Sequence, residues 1–334
     1  MPYVTTFSDA EEKPSKDSRA EIWSAIVSEV EENIPHLPAG ASKTSVTSGM
    51  AFMLLAKLYL NAEVYTGTAH WAEAEEACDS VMALPYSLEA HPLAPFVTEN
   101  QFSSENIFTI PYDEDSYKSF TLHRRTLHYL HNQTFDMTVG PWNGCAVTED
   151  HYNSYEDGDI RKEEGFLVGQ QFTSGGAEIF DEVAGVPLVL KPYIHALFID
   201  GSYSSDEIRN SGARIVKFEI AMGAKADLSN DFPIFRLADA YLMKAECMIR
   251  QGKAGAEEYV NPFRIRAEVD SWGAGDMSLE NILAERGREM FFEGHRRQDM
   301  IRFGVFNDAW WEKPATGPER NTFPIPQWVI DSNP

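Results

Sequence analysis

"ERGREMFFEGHRRQDMIRFG", residues 285–304, decides how this chain is read. Five arginines, four acids and a histidine are packed into one run that otherwise looks helical. Projected at about 100° per residue, a helix from Ser278 to about Glu293 puts Leu279, Ile282, Leu283, Arg286, Met290 and Glu293 on one face. Two opposite charges then sit among apolar side chains. A buried charge has to be paired, because desolvating it alone costs several kcal/mol. Arg286 and Glu293 are two turns apart, so each is expected to find its partner elsewhere. The candidates are a neighbouring helix and the segment that turns back after Gly294. The reading is a structural ion network of Arg286, Glu289, Glu293, Arg296 and Asp299 that locks the last helix to its neighbours. The competing reading, an active site or anion pocket, rests on charge density alone, which structural networks also produce.

Helical hairpins flank this run. "SRAE" (18–21) has the form of a capping box, and apolar residues recur at helical spacing from Ile22 to Ile34. The stretch 48–65 is apolar around nearly its whole circumference and predicts a helix buried between neighbours. Residues 70–84 predict an amphipathic partner, with Trp71, Ala74, Cys78, Val81 and Met82 on one face. Ala51, Ala56, Ala74 and Ala77 allow close approach. The pair resembles a tetratricopeptide unit, which cannot bury both faces alone and must be stacked upon. A helix from Pro233 to Gly252 and a second over about 254–268 form another hairpin.

The middle differs. Residues 85–230 are punctuated by Pro, Gly, Asn and Asp and are dense in aromatics and histidines, with "GARIVKFEI" (212–220) as a candidate strand. A connection this long usually carries function. The expected organisation is a single domain, 1–334, with a helical repeat part at 18–84, a loop-rich ligand-binding part at 85–230 and a C-terminal helical part at 231–334. The expected fold class is all-α, tetratricopeptide-like hairpins in an α-α superhelix with a long irregular insertion.

Composition narrows the partners. A net charge of −24 argues against nucleic acid. Cys78, Cys145 and Cys247 are scattered and make no CxxC or disulfide framework. No P-loop, G-x-S-x-G or dinucleotide fingerprint is present.

Within the loop part, Trp142 sits in "GPWNG" with no helical stripe to explain it. An aromatic face there can stack on the C–H face of a sugar, while neighbouring amides and hydroxyls bond its oxygens. Asn143, Tyr112, Tyr117, Tyr129, Tyr152 and His128 complete the candidate ligand set; the alternative is that Trp142 plugs a small core under the loop. His128 and His131 form H-x2-H near His123, but no third ligand stands at a telling distance, so no metal site is assigned. "YDEDSY" (112–117) and "YEDGDIR" (155–161) admit calcium, which takes six to eight oxygens, or plain turn chemistry. No other cofactor is expected.

"ERGREMFFEGHRRQDMIRFG" resembles the signature of the SusD/RagB family of nutrient-binding outer-membrane lipoproteins. "NDFPIFRLADAYLMKAE" (230–246), "VNPFRIRAEV" (260–269), "TLHYLHNQTFDMTVGPWNG" (126–144) and "FPIP" (323–326) are similar to family segments in the same order. The resemblance implies non-catalytic capture of an oligosaccharide or similar nutrient at the extracellular face of the outer membrane. It also implies a partner, a SusC-like TonB-dependent transporter. "PYVTTF" (2–7) resembles a mid-chain family segment, so the chain is expected to lack the family's N-terminal portion with its signal peptide and lipid-carrying cysteine. Two other readings stay open: a glycan hydrolase using paired carboxylates, and a scaffold that binds only the transporter.

Overall fold

The computed structural model describes residues 3, 16–40, 42–197 and 200–332. "PYVTTF", apart from Tyr3, and most of the polar segment before Ser18 lie outside them, as does Pro334.

Four helices open the chain: α1 (Arg19–Asn33), α2 (Ser48–Leu60), α3 (Ala62–Thr66) and α4 (Trp71–Met82). Ser18 caps α1 in a full capping box with Glu21, as its spacing predicts. The single helix expected over 48–65 breaks at Asn61, whose side-chain amide turns back onto the Lys57 carbonyl at 2.8 Å. α2 and α4 form a hairpin. Met53, Ala56, Leu60, Ala74, Cys78 and Val81 make one core with Leu237, Met243 and Cys247 of a later helix. The alanines let the helices approach closely, and Cys78 and Cys247 serve as small buried apolar side chains.

The last third supplies α9 (Leu237–Arg250), α10 (Glu257–Arg266), α11 (Leu279–Glu289), α12 (Arg296–Arg302) and α13 (Gln327–Ser332). α9 is central: one side joins the α2/α4 core, and the other packs Ala238, Leu242 and Ala245 against Val260, Phe263 and Ile282. This is a stack of helical hairpins in which each pair is covered by the next.

Between them lies the loop-rich part. It holds β1 (Asn106–Ile110), the one-turn helices α5 (Leu122–Thr126), α6 (Glu149–Asn153), α7 (Ile160–Gly165) and α8 (Ser205–Arg209), and two-residue strands β2 to β7. β1 pairs antiparallel with β8 (Phe232–Arg236). The sequence reading starts a helix at Pro233; the structure instead makes five residues of strand before it. Ile234 and Phe235 fill the pleat against β1, and Pro233 is tolerated because the ribbon has only two strands. Of "GARIVKFEI" only β7 (Arg214–Ile215) is strand, paired with β2 (Phe166–Leu167).

The charged stretch also departs from the simple projection. α11 stops at Glu289, and Phe292 and Gly294 take φ of +65° and +84°. Glu293 is therefore placed by a turn, not by helical periodicity. Within the helix, Glu285, Arg286, Gly287, Arg288 and Glu289 are all buried, so the charges are enclosed on every side rather than on one face.

Candidate functional site

Two groups of residues were singled out by sequence, and the structure keeps them apart. The first is the charge network. Arg286 donates to Asp239 on α9 at 3.0 Å and to Asp299 on α12 at 2.9 Å. Both partners lie where the spacing places them, on a neighbouring helix and beyond the turn at Gly294. Glu289 accepts from Arg161, Arg236 and Arg266 at 3.1, 2.9 and 2.5 Å. Glu293 pairs with Lys217 and Arg236, both at 2.6 Å. Glu105, Asp159 and Glu285 complete the inner layer. Lys57, Glu246 and Arg302 extend the outer one. Arg296 does not join it: among the described residues it pairs with no carboxylate within 4 Å. Its guanidinium instead lies over Gly287 and donates to the Leu283 carbonyl at 2.8 Å. Sequence reading missed Lys217, Arg236 and Arg266, which come from distant segments and carry no local signal; Arg161 lies in "YEDGDIR", where the plain turn reading fits its pairing with Asp159 at 2.8 Å.

Burial by itself would raise the carboxyls of Glu289 and Asp299. The guanidiniums around them outweigh it, holding Glu289 well below the carboxylate range and Asp299 down to about 2. Burial pulls Lys217 down to about 8, partly offset by Glu293. Apart from Arg266 Nε and one terminal nitrogen of Arg286, the donors of these arginines bond to carboxylates and carbonyls of the frame, which leaves them poorly available to a ligand.

The second group surrounds Trp142. α5 ends at Thr126, and a helix end leaves carbonyls without partners. The loop 142–145 supplies them. Trp142 N donates to the Arg124 carbonyl at 2.6 Å, Asn143 N to Leu127 at 3.0 Å, and Gly144 N and Cys145 N both to Arg125 at 2.8 Å. Asn143 sits at φ +53°, a left-handed conformation that Asn tolerates better than most residues. Its carboxamide oxygen accepts from Arg214 at 2.7 and 3.0 Å, and its NH2 donates to the Arg209 carbonyl at 3.0 Å. The loop is thus pinned from two sides. Trp142 remains 41% exposed, with Arg124 stacked 4.3 Å from its ring.

Beside it opens a cleft of about 180 Å³. One wall is Asn143–Ala146; the other comes from Ile194, His195, Tyr203 and Glu207. Gly212, at φ +84°, lets the walls close up, because a Cβ there would meet Ala146 and would approach Ile194 Cγ2 to 2.8 Å. The Nε2 of His195 is buried and without a partner among the described residues. Glu207 is the one carboxylate among the described lining residues, and it is engaged by Ser204 N at 2.8 Å and Ser204 Oγ at 2.7 Å.

Of the predicted ligand residues, Asn143 lines this cleft and Trp142 precedes it in the same loop. Tyr129 stands nearby under the Arg209 guanidinium at 4.7 Å, itself bonded to Asp181. The others do not converge. His128 is buried; its Nδ1 accepts from Leu130 N and its Nε2 lies 3.5 Å from Asp181, so its ring faces inward. Burial holds it down to about 4 and neutral. Tyr112 packs edge-on against Phe120, and Tyr152 against Phe166, each in its own small core. Tyr117 is exposed on a separate turn. Sequence alternation in an irregular loop says little about which side chains meet, and these were grouped by residue type alone. His195 and Tyr203 were missed; the dense "KPYIHALFIDGSY" (191–203) was their available signal.

The candidate calcium loops spend their acids internally. Asp113 accepts from Asp115 N and Ser116 N, Asp115 pairs with Lys225, and Asp159 caps α7 while binding Arg161. Among the described residues no cluster of three or more His, Cys, Asp or Glu has a metal-holding arrangement.

The molecule is thus a stacked-hairpin frame carrying an aromatic, polar cleft on a loop-rich insertion. Comparison with known proteins agrees with the frame: residues 203–334 match the SusD family model. The chain is 27% identical over 321 residues to the starch-binding protein SusD of Bacteroides thetaiotaomicron, an alignment covering 84% of this chain and 58% of that protein. A SusD superfamily protein of Parabacteroides distasonis has the same fold, with TM-score 0.79, 19% identity, and coverage of 99% of this chain and 72% of that one. The surface glycan-binding protein A of Bacteroides thetaiotaomicron, solved with laminarihexaose, superposes with TM-score 0.71 at 22% identity, over 93% of this chain and 68% of that one. The family match thus covers the C-terminal part of the chain, residues 203–334, and the chain spans little more than half the length of its curated relative.

Proposed function

We propose that this chain captures a glycan at the cell surface without cleaving it, and that the cleft beside Trp142 holds the sugar. The observation that carries this reading is the pairing of a half-exposed, rigidly anchored tryptophan with a cleft rich in polar donors. The indole face stacks on a pyranose ring, and His195, Tyr203 and the rim of the loop bond its hydroxyls. Relatives named for starch binding and solved with laminarihexaose support the ligand class. Hydrolysis would need two carboxylates flanking a bond, and the cleft wall carries Glu207, already engaged by Ser204. Delivery to a SusC-like TonB-dependent transporter at the outer membrane is the remaining part of the proposal, with the helical frame as the docking side.

Calorimetry against a glycan panel tests the reading. At least one oligosaccharide should bind, and Trp142→Ala should weaken it by about tenfold or more, since loss of an aromatic stacking contact is worth about 1–3 kcal/mol. Trp142→Ala binding as well as the parent would refute the assignment of the cleft. Release of reducing sugar, abolished by one Glu or Asp substitution, would refute the non-catalytic reading. Heat with no glycan, alongside co-purification with the transporter, would favour a scaffold.

A further inference from the structure

The cations of this protein fall into two populations. In the frame, nearly every buried arginine meets a carboxylate within 4 Å. Around the Trp142 loop Arg209 pairs with Asp181, but Arg124, Arg125 and Arg214 do not meet one among the described residues. Arg214 is 2% exposed, and its donors go to the Asn143 side chain and to the carbonyls of Arg209, Ser211 and Gly212. All of these acceptors are neutral. Its charge is therefore coordinated but not compensated, and burial pulls it down to about 10. The same charge helps keep His128 and His131 neutral. Arg124 and Arg125 lie 4.3 and 5.7 Å from the Trp142 ring, and neither has a carboxylate within 4 Å among the described residues. The Nε of Arg124 is buried with no partner. Arg124 and Arg125 share the Trp142 ring, and the loop 142–145, hydrogen-bonded to the backbone of both, is held from its other side by Arg214 through Asn143.

An uncompensated buried cation is expensive, and in a chain of net charge −24 carboxylates are plentiful. Their absence at this loop leaves the positive charge available to an arriving anion. Glu207 faces the same cleft and keeps its charge, but it is held by Ser204 and lies 4.0 Å from His195, and it pairs with none of these arginines among the described residues. We infer that the surface formed by Trp142 and its adjoining cleft is selective for an anionic glycan, whose carboxylate or sulfate is held by Arg124 and Arg125 at the indole and favoured by the charge of Arg214 at the cleft wall. This rests on the glycan-binding reading above. The indole takes the sugar face, and the two guanidiniums flanking it take the acidic substituent, a geometry suited to bidentate bonding.

The test is calorimetry of the whole chain against matched pairs: uronate-containing oligosaccharides with their carboxyl-reduced forms, and sulfated oligosaccharides with their desulfated forms. A neutral panel including laminarihexaose runs alongside. At low salt the acidic member of a pair should bind at least about tenfold more tightly than its neutral twin, because hydrogen bonds to charged groups are the stronger ones. The preference should shrink as salt rises. The double variant R124Q/R125Q should erase the preference while keeping its fold by circular dichroism and its residual binding to the neutral twin. Whichever pair shows the effect distinguishes carboxylate from sulfate. Neutral glycans binding as tightly as the acidic members would overturn the anionic inference and leave the glycan reading intact. Acidic preference that survives R124Q/R125Q would overturn the assignment to these arginines. No heat with any glycan would overturn both readings.

Discussion

Glu289→Gln is the sharpest test of the ion frame. Glu289 is 2% exposed and accepts from three guanidiniums, those of Arg161, Arg236 and Arg266. The amide keeps the shape and removes the charge. Each charge-assisted bond loses about 1 kcal/mol on becoming neutral, so three lose about 3 kcal/mol. The three arginines then repel one another with less between them, which brings the expected loss to about 3–5 kcal/mol, the usual range for a broken buried pair. Taking about 2.1 cal/mol/K per residue for the entropy of unfolding over 334 residues, and unfolding as one unit, the melting temperature should fall by about 4–7 °C. Scanning calorimetry and urea unfolding both read this. A second signature is the pH dependence. The folded pKa of Glu289 is depressed, so its contribution is present above the ordinary carboxylate pKa, 4.5, and is lost as pH falls below it. The variant should show a shallower acid limb than the parent. Glu319→Gln, at an exposed pair, is the control and should change stability by less than about 0.5 kcal/mol. If Glu289→Gln behaves like that control, the network is not what holds α11 in place.

Other expectations can be checked with the same preparations. Burial holds His131 at about 3 and His128, His151 and His295 at about 4. All four are depressed from 6.5, so their share of stability is complete above pH 6.5 and drains as pH falls towards 4; a urea midpoint that stays flat down to pH 4.5 would contradict this. Gly212→Ala forces a side chain into a left-handed backbone and against Ala146 and Ile194. It should cost about 2 kcal/mol or more and weaken glycan binding, and unchanged melting would show that the cleft walls can relax. Trp142→Ala, by contrast, should weaken binding while shifting stability by less than about 1 kcal/mol, because the half-exposed ring fills no core.

Helical periodicity made the frame legible. The capping box at Ser18, the hairpin formed by α2 and α4, and the apolar stripe of α9 follow from residue spacing alone. The strand at Phe232–Arg236 was hidden because "PIFR" reads as the start of the helix that follows it, and only pairing with β1 makes it a strand. Arg286 was readable because it sits at an apolar position of a regular helix. Arg236 and Arg266 were not, since most of their partners lie tens of residues away and no local pattern marks them. Within the loop part, Trp142 stood out for lacking any helical reason to exist. Its neighbours across the cleft are set by tertiary bonding from α5 and Arg214, which spacing does not encode.

The stretch 285–304 also links the two halves of the protein. Its charges face the helices, yet Phe291 and Phe292, between Glu289 and Glu293, point the other way. Phe291 stacks on His151 at 4.3 Å and meets Phe166 at 5.4 Å, in the small core that holds Val147 and Ala213. Val147 and Ala213 are paired to each other, each one residue beyond a cleft neighbour, Ala146 and Gly212. Lys217 closes the connection from the loop side, donating to the carbonyls of Glu289 and Phe291 at 2.8 and 2.9 Å and to Glu293. The positive φ at Phe292 and Gly294 is what allows one short turn to present carboxylates to the frame and rings to the floor of the loop part. A charged run of this density therefore makes physical sense as a rivet: the ion pairs fix the turn on the helices, and the fixed turn supports the layer on which the Trp142 loop and its cleft rest.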